Sequence, residues 1–231
     1  MAFFCGRAWK IELASIAALF SLFLFVNVTT FTLYPGVWMD EVLAIDPGVN
    51  LYLGNGWTST TTWYQHRGEF WAGCPLYPFL VSGWIRAFGF SPLGIRSLGY
   101  FLMLMSAACI WLSVVRLELV RSAMGRVALL AMLLMGYGIS FCYRGARYDV
   151  VLIFLAAASL LAFTIRSDRL RCSVLGALGF LYPLGGLQMV VYTAILTSIL
   201  LAYLGRQFLR EFLSINAGVA LGIVSLTLML W

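Results

Sequence analysis

The sequence predicts an all-α polytopic membrane protein of about seven transmembrane helices, with a long first extracytoplasmic loop that carries an interfacial helix. Three observations lead there. Hydrophobic residues make up 62% of the chain and charged residues 10%, against roughly 25% charged in water-soluble domains. Long apolar runs alternate with short basic clusters, drawn from fourteen Arg and one Lys, and such clusters mark the cytoplasmic ends of membrane helices. Aromatic residues reach 16%, which suits many boundaries at head-group depth, where amphipathic rings settle. The clusters account for the net charge of +6, so no nucleic-acid partner is expected and membrane lipids are.

Taken in order, Arg7 and Lys10 precede an apolar run from Ile11 to about Tyr34 with no small-x-small cleavage pattern after it. A run of more than about 20 residues spans the hydrocarbon layer, so it reads as a retained first helix with a cytoplasmic N-terminus. The first extracytoplasmic loop follows, about 35–92. It opens polar and aromatic, holds Asp40, Glu41, Asp46, His66, Arg67 and Glu69, and is longer than an ordinary helix connection. Within it, Leu76, Phe79, Leu80 and Trp84 with Arg86 form an amphipathic pattern expected of a helix lying in the interface. Ser91-Pro92 then starts a helix.

The second span covers 93–115 and ends at Arg116, Arg121 and Arg126. The third, about 127–141, leads to a second extracytoplasmic loop at about 142–149, and the fourth, 150–165, returns to Arg166, Arg169 and Arg171. The apolar run 172–204 is too long for one span and is interrupted by Pro183, Gly185 and Gly186, with arginines at both ends. Two short helices joined near the interruption keep both arginine clusters on one side. The last run heads outward and stops in apolar sequence at Trp231, so one domain, 1–231, truncated at its C-terminus, is expected. Cysteines at 5, 74, 109, 142 and 172 show no C-x-x-C spacing, which indicates neither a metal knuckle nor a disulfide framework.

Asp40-Glu41 at the end of the first helix and Arg144, Arg147 and Asp149 around the start of the fourth fall on the same outer side and are expected to share one cavity. Arginine forks hold phosphate oxygens in a fixed plane, and a carboxylate can take the proton of an attacking hydroxyl or amine. The set therefore suits transfer from a phosphate-linked donor. Competing structural explanations are arginines snorkelling to head groups and Asp149 serving as a helix N-cap. Trp57, Trp63, Tyr64 and Trp71 are candidates for stacking on a sugar or for interfacial anchoring.

The Asp-Glu pair after the first membrane helix, the Pro75-x-Tyr77 opening of the interfacial helix, the run from Gly89 to Leu98 and Ala146-Arg147-Tyr148-Asp149 together resemble the GT-C membrane glycosyltransferases, within them the protein O-mannosyltransferase and aminoarabinose transferase group. The resemblance implies an inverting enzyme that moves a sugar from a polyprenyl-phosphate donor to a lipid, glycan or protein acceptor at the extracytoplasmic face of the cytoplasmic membrane. By it, Asp40 is the general base, Glu41 orients or assists it, and Asp149 completes the catalytic set. Arg144 and Arg147 bind substrate. Gly73-Cys74-Pro75 departs from the pattern, because many members carry His or an acid directly before that proline; His66, Arg67 and Glu69 are the upstream substitutes for substrate binding. Cofactors are left open, a divalent metal among them. The alternative is a transporter or flippase-like protein that uses the same charges to bind an anionic lipid or solute without chemistry; a non-catalytic assembly subunit is a further rival.

Overall fold

The computed structural model describes residues 7–31, 36, 39–59 and 74–229, and within them the chain is helical, with no strands. The helices are α1 (Arg7–Val28), α2 (Met39–Leu53), α3 (Leu76–Phe88), α4 (Pro92–Arg116), α5 (Ala123–Met135), α6 (Tyr137–Arg144), α7 (Asp149–Ala162), α8 (Asp168–Gly185), α9 (Gln188–Leu204) and α10 (Leu209–Met229). Three stretches are long and apolar enough to cross a membrane, Trp9–Val28, Pro92–Arg116 and Gln188–Met229, and α5 with α6, bent by 55°, adds a fourth if taken as one span.

The stretch Gln188–Met229 is a hairpin rather than one rod. Asn216 on α10 donates to Thr197 Oγ1 on α9 at 3.3 Å, whereas a straight α-helix would hold residues 19 apart about 28 Å from each other. The chain reverses at Gly205, whose φ of +61° lies where a side chain is strained. α10 then runs back beside α8 in the same direction: Arg171 meets Glu211, Gly179 lies against Ile215, Gly176 against Gly218, and Phe180 against Gly222. A Cβ at Gly218 or Gly222 would overlap a backbone carbonyl of α8. Small residues at i and i+4 let two backbones approach this closely, the usual device where lipid leaves no hydrophobic drive between helices.

Side-chain contacts sort the helix ends into two sets. At one end Glu12 of α1 meets Trp111 of α4 and Arg126 of α5, Arg116 donates to Thr164, Phe163 packs near Phe208, and Arg171 joins α8 to α10. This is the arginine-rich end. At the other end lie Thr30, Phe31, Asp40, Arg96, Arg144 and Asp149.

Three elements differ from the expectation. The stretch 39–53, expected as part of the first polar loop, is helical. Pro47 is accommodated inside α2, and Gly48 is where α3 comes closest, since a Cβ there would sit 2.6 Å from the Pro78 carbonyl. On α3 the buried face is Tyr77, Val81 and Ile85 with Pro78 and Ser82, while Phe79 is exposed and Leu76, Leu80 and Trp84 are half-buried against the core. The third apolar run breaks at Gly136, and Tyr143 bridges the break by donating its hydroxyl to Leu134 O at 2.9 Å, supplying a partner for a carbonyl at a helix end.

Candidate functional site

Asp40 and Glu41 stand in the first turn of α2 and Asp149 in the first turn of α7, where the positive end of the helix dipole favours an anion. Neighbours on the same turn point in different directions. Glu41 is 3% exposed and forms a two-pronged ion pair with Arg96 of α4, Nε to Oε1 and Nη2 to Oε2, each 2.7 Å. Arg96, 1% exposed, spends its third nitrogen on Phe31 O at 2.9 Å, so it ties together the end of α1 and the starts of α2 and α4. Such a pair tolerates burial because its geometry satisfies both partners.

Asp40 faces outward with 48% of its side chain exposed. Arg147 reaches it through Nη1 at 3.3 Å and holds Asp149 through Nε at 2.7 Å. One guanidinium therefore spans the two carboxylates, short to Asp149 and long to Asp40. Burial, the largest single influence, opposes the charge of Arg147, but the hydrogen bond with Asp149 together with the charges of Asp149, Cys142 and Asp40 outweighs it and raises the pKa. The residue before it, Ala146, is fully buried with φ +45°, a left-handed conformation costly for a residue with a Cβ. The backbone that aims Arg147 is thus held by its packing rather than by local preference.

Cys74 lies beside this set. Burial, with the Asp149 charge as a smaller cause, pushes its thiol up from 9.0 to about 12. It is a free thiol, as are Cys109, Cys142 and Cys172. Tyr148 is close to Cys74, Arg147 and Gln188, so the start of α9 borders the site too. Tyr77 of α3 is fully buried near Glu41 and its hydroxyl has no hydrogen-bond partner among the described residues; burial, then Glu41, raises its pKa.

Of the residues singled out in the sequence, Asp40, Arg147 and Asp149 come together directly and Glu41 sits behind them. Arg144 goes elsewhere: its Nη2 donates to Thr30 Oγ1 at 2.5 Å, at the C-terminal end of α1, where a cation suits the helix dipole. Asp46 is a structural acid, accepting from Ser59 Oγ at 2.6 Å and Asn50 Nδ2 at 3.4 Å. His66, Arg67, Glu69, Trp63, Tyr64 and Trp71 lie outside the described residues; Trp57 is half-buried. Among the described residues no three His, Cys, Asp or Glu side chains gather as a metal site. Arg96 and Tyr77 escaped functional assignment from sequence. The signal for Arg96 was available, since a charge in the second turn of an apolar helix requires a partner.

The arrangement can bind an anion at Arg147 while presenting a solvent-reachable carboxylate beside it. No protein-family model, curated protein sequence or solved structure matches this chain.

Proposed function

We propose that the chain is a GT-C-type membrane glycosyltransferase that moves a sugar from a polyprenyl-phosphate donor to a lipid, glycan or protein acceptor, inverting the anomeric centre, with Asp40 as general base. The observation that carries this reading is the Arg147 bridge between Asp40 and Asp149. The donor phosphate competes for Arg147 where it is held most loosely, at Asp40, while Asp149 keeps the guanidinium in place. Asp40 is thereby released to take the acceptor proton as the acceptor oxygen or nitrogen attacks the anomeric carbon. The carbon–oxygen bond to phosphate breaks on the opposite face, and the departing negative charge rests on Arg147. Glu41, with both oxygens on Arg96, orients the first turn of α2 and stays clear of the substrate.

With α9 and α10 counted separately and α5–α6 as one crossing, seven helical legs, α1, α4, α5–α6, α7, α8, α9 and α10, alternate between the two ends. The positive-inside rule makes the arginine-rich end cytoplasmic, so the Asp40 end faces outward and α2 with α3 forms the outer cap at the interface.

The test is Asp40→Asn with a polyprenyl-phosphate sugar donor in membranes. Turnover is expected to fall by about 10²–10⁴, the range for removing a general base, with donor binding kept. Unchanged turnover removes Asp40 from the chemistry. The interruption at Gly185-Gly186 between α8 and α9 and the bend at Gly136 favour a transporter as the second reading, and that reading predicts donor-lipid movement without any transferred sugar.

A further inference from the structure

A groove opens away from Asp40 and Asp149. It lies between α8 and α10, has a volume of about 460 Å³, and is lined by Gly176, Ala177, Phe180, Ala217, Gly218 and Leu221, with Ser173 and Ser214 toward the arginine-rich end. One turn beyond the serines, on the same faces, come Arg169 (i−4 from Ser173) and Arg210 (i−4 from Ser214), both exposed. Going along the groove, the lining changes from guanidinium to hydroxyl to small apolar residues to Phe180 and Leu221, over roughly 16 Å at 1.5 Å per residue. Arg210 also lies 3.6 Å from Asp168. The charge balance there still favours an anion, because five arginines, Arg166, Arg169, Arg171, Arg206 and Arg210, stand against the two acids Asp168 and Glu211.

We propose that this groove binds an anionic phospholipid of the surrounding bilayer, with its phosphate between Arg169 and Arg210, its ester region at Ser173 and Ser214, and one acyl chain along the glycines. The order of polarity in the groove is that of a phospholipid from head to tail. The closeness of α8 and α10 that Gly176 and Gly218 permit gives the chain a floor without side chains. The lipid also covers the seam of the helix pair, linking its presence to the stability of α8–α10.

The experiment uses the full chain in nanodiscs of phosphatidylcholine with a minor fraction of phosphatidylglycerol, followed by native mass spectrometry of retained lipid. Phosphatidylglycerol is expected to be retained over phosphatidylcholine. Arg169→Gln with Arg210→Gln, which alters only exposed side chains, should weaken that preference by roughly thirtyfold, taking the usual contribution of two basic residues near an anionic head group. Ala217→Phe, which fills the groove from an exposed position, should abolish retention while leaving the arginines in place. Equal retention of both lipids by the unaltered chain overturns the proposal, as does an undiminished preference in the double variant. A dimer that Ala217→Phe dissociates would show that a second copy, not lipid, occupies the groove, and would overturn it too.

Discussion

Both ends of the bundle bury a glutamate against an arginine, and they differ in what is left over. At the arginine-rich end Glu12 is 2% exposed and Arg126 and Trp111 consume its oxygens, while Glu211 is taken by Arg171. At the opposite end Glu41 is consumed in the same manner by Arg96, but its neighbour Asp40 stays half exposed on one long contact with Arg147. The same kind of ion pair thus latches helices at both ends; the exposed Asp168 of the arginine-rich end is held by Arg171 at 2.7 Å, whereas the exposed Asp40 of the other end meets Arg147 only at 3.3 Å. Burial and pairing separate the buried latch Glu41 from the half-exposed Asp40, although the two are adjacent in the chain.

The sharpest way to break that comparison is to cut each latch. Arg96→Met leaves Glu41 buried and uncompensated, which costs about 3–5 kcal/mol. Glu41→Leu in the same chain should recover most of it, because an apolar pair of similar size is tolerated. Arg126→Met leaves Glu12 with the Trp111 donor, so a smaller loss of about 1.5–3 kcal/mol is expected. Thermal unfolding in detergent measures both. A larger loss from Arg126→Met than from Arg96→Met would mean that the two latches are ranked wrongly.

Next in size is the chemistry of Cys74, in a chain whose other cysteines are replaced by alanine. A thiol pushed up to about 12 carries roughly a thousandth of the thiolate of an ordinary cysteine at any pH below about 8. Maleimide labelling should be slow at pH 7.5 and keep rising about tenfold per pH unit through pH 10. A cysteine placed at exposed Asn55 should label rapidly and level off above about pH 9. A plateau for Cys74 near pH 9 would show that it is open to water. The Asn55 position also reports which side of the membrane the site faces, a measurement Ser59 cannot serve because it is 2% exposed and bonded to Asp46.

Much of this frame was legible beforehand, and the unread parts share a cause. Arginine clusters, apolar lengths and the Pro183-Gly186 interruption located most helices, because lipid penalises any other arrangement of charge and unpaired backbone. The α2 helix was hidden because Pro47 and Gly48 carry an unfavourable local preference that packing on α3 overrides. The Arg96–Glu41 and Glu12–Arg126 pairs join residues 55 and 114 positions apart, and one sequence contains no register by which to match such partners. Asp40, Arg147 and Asp149 were legible as a set only because three helix ends had already been assigned to one side.

The glycine seam of the α8–α10 pair offers a contrast without charge. Gly218→Val pushes a branched side chain into the Gly176 carbonyl, and overpacking of this kind costs about 1–3 kcal/mol. The loss should appear in unfolding and leave the Cys74 labelling rate unchanged, since the altered seam is remote from that end. A change in Cys74 labelling would mean that the two regions are coupled.

The smallest effect on stability is the most informative about the site. Ala146→Gly relieves the left-handed backbone, worth about 1–2 kcal/mol. It also gives up a buried methyl of about 0.8 kcal/mol and gains unfolded-state freedom of about 0.5–1 kcal/mol. The three contributions nearly cancel, so the unfolding midpoint should hardly move. Turnover should fall all the same, because Arg147 is aimed by that one residue and a glycine widens the directions it can take. The Asp40–Arg147–Asp149 set would then be defined by backbone pre-orientation. Unchanged turnover with an unchanged midpoint would instead place the aiming in the Asp149 ion pair alone.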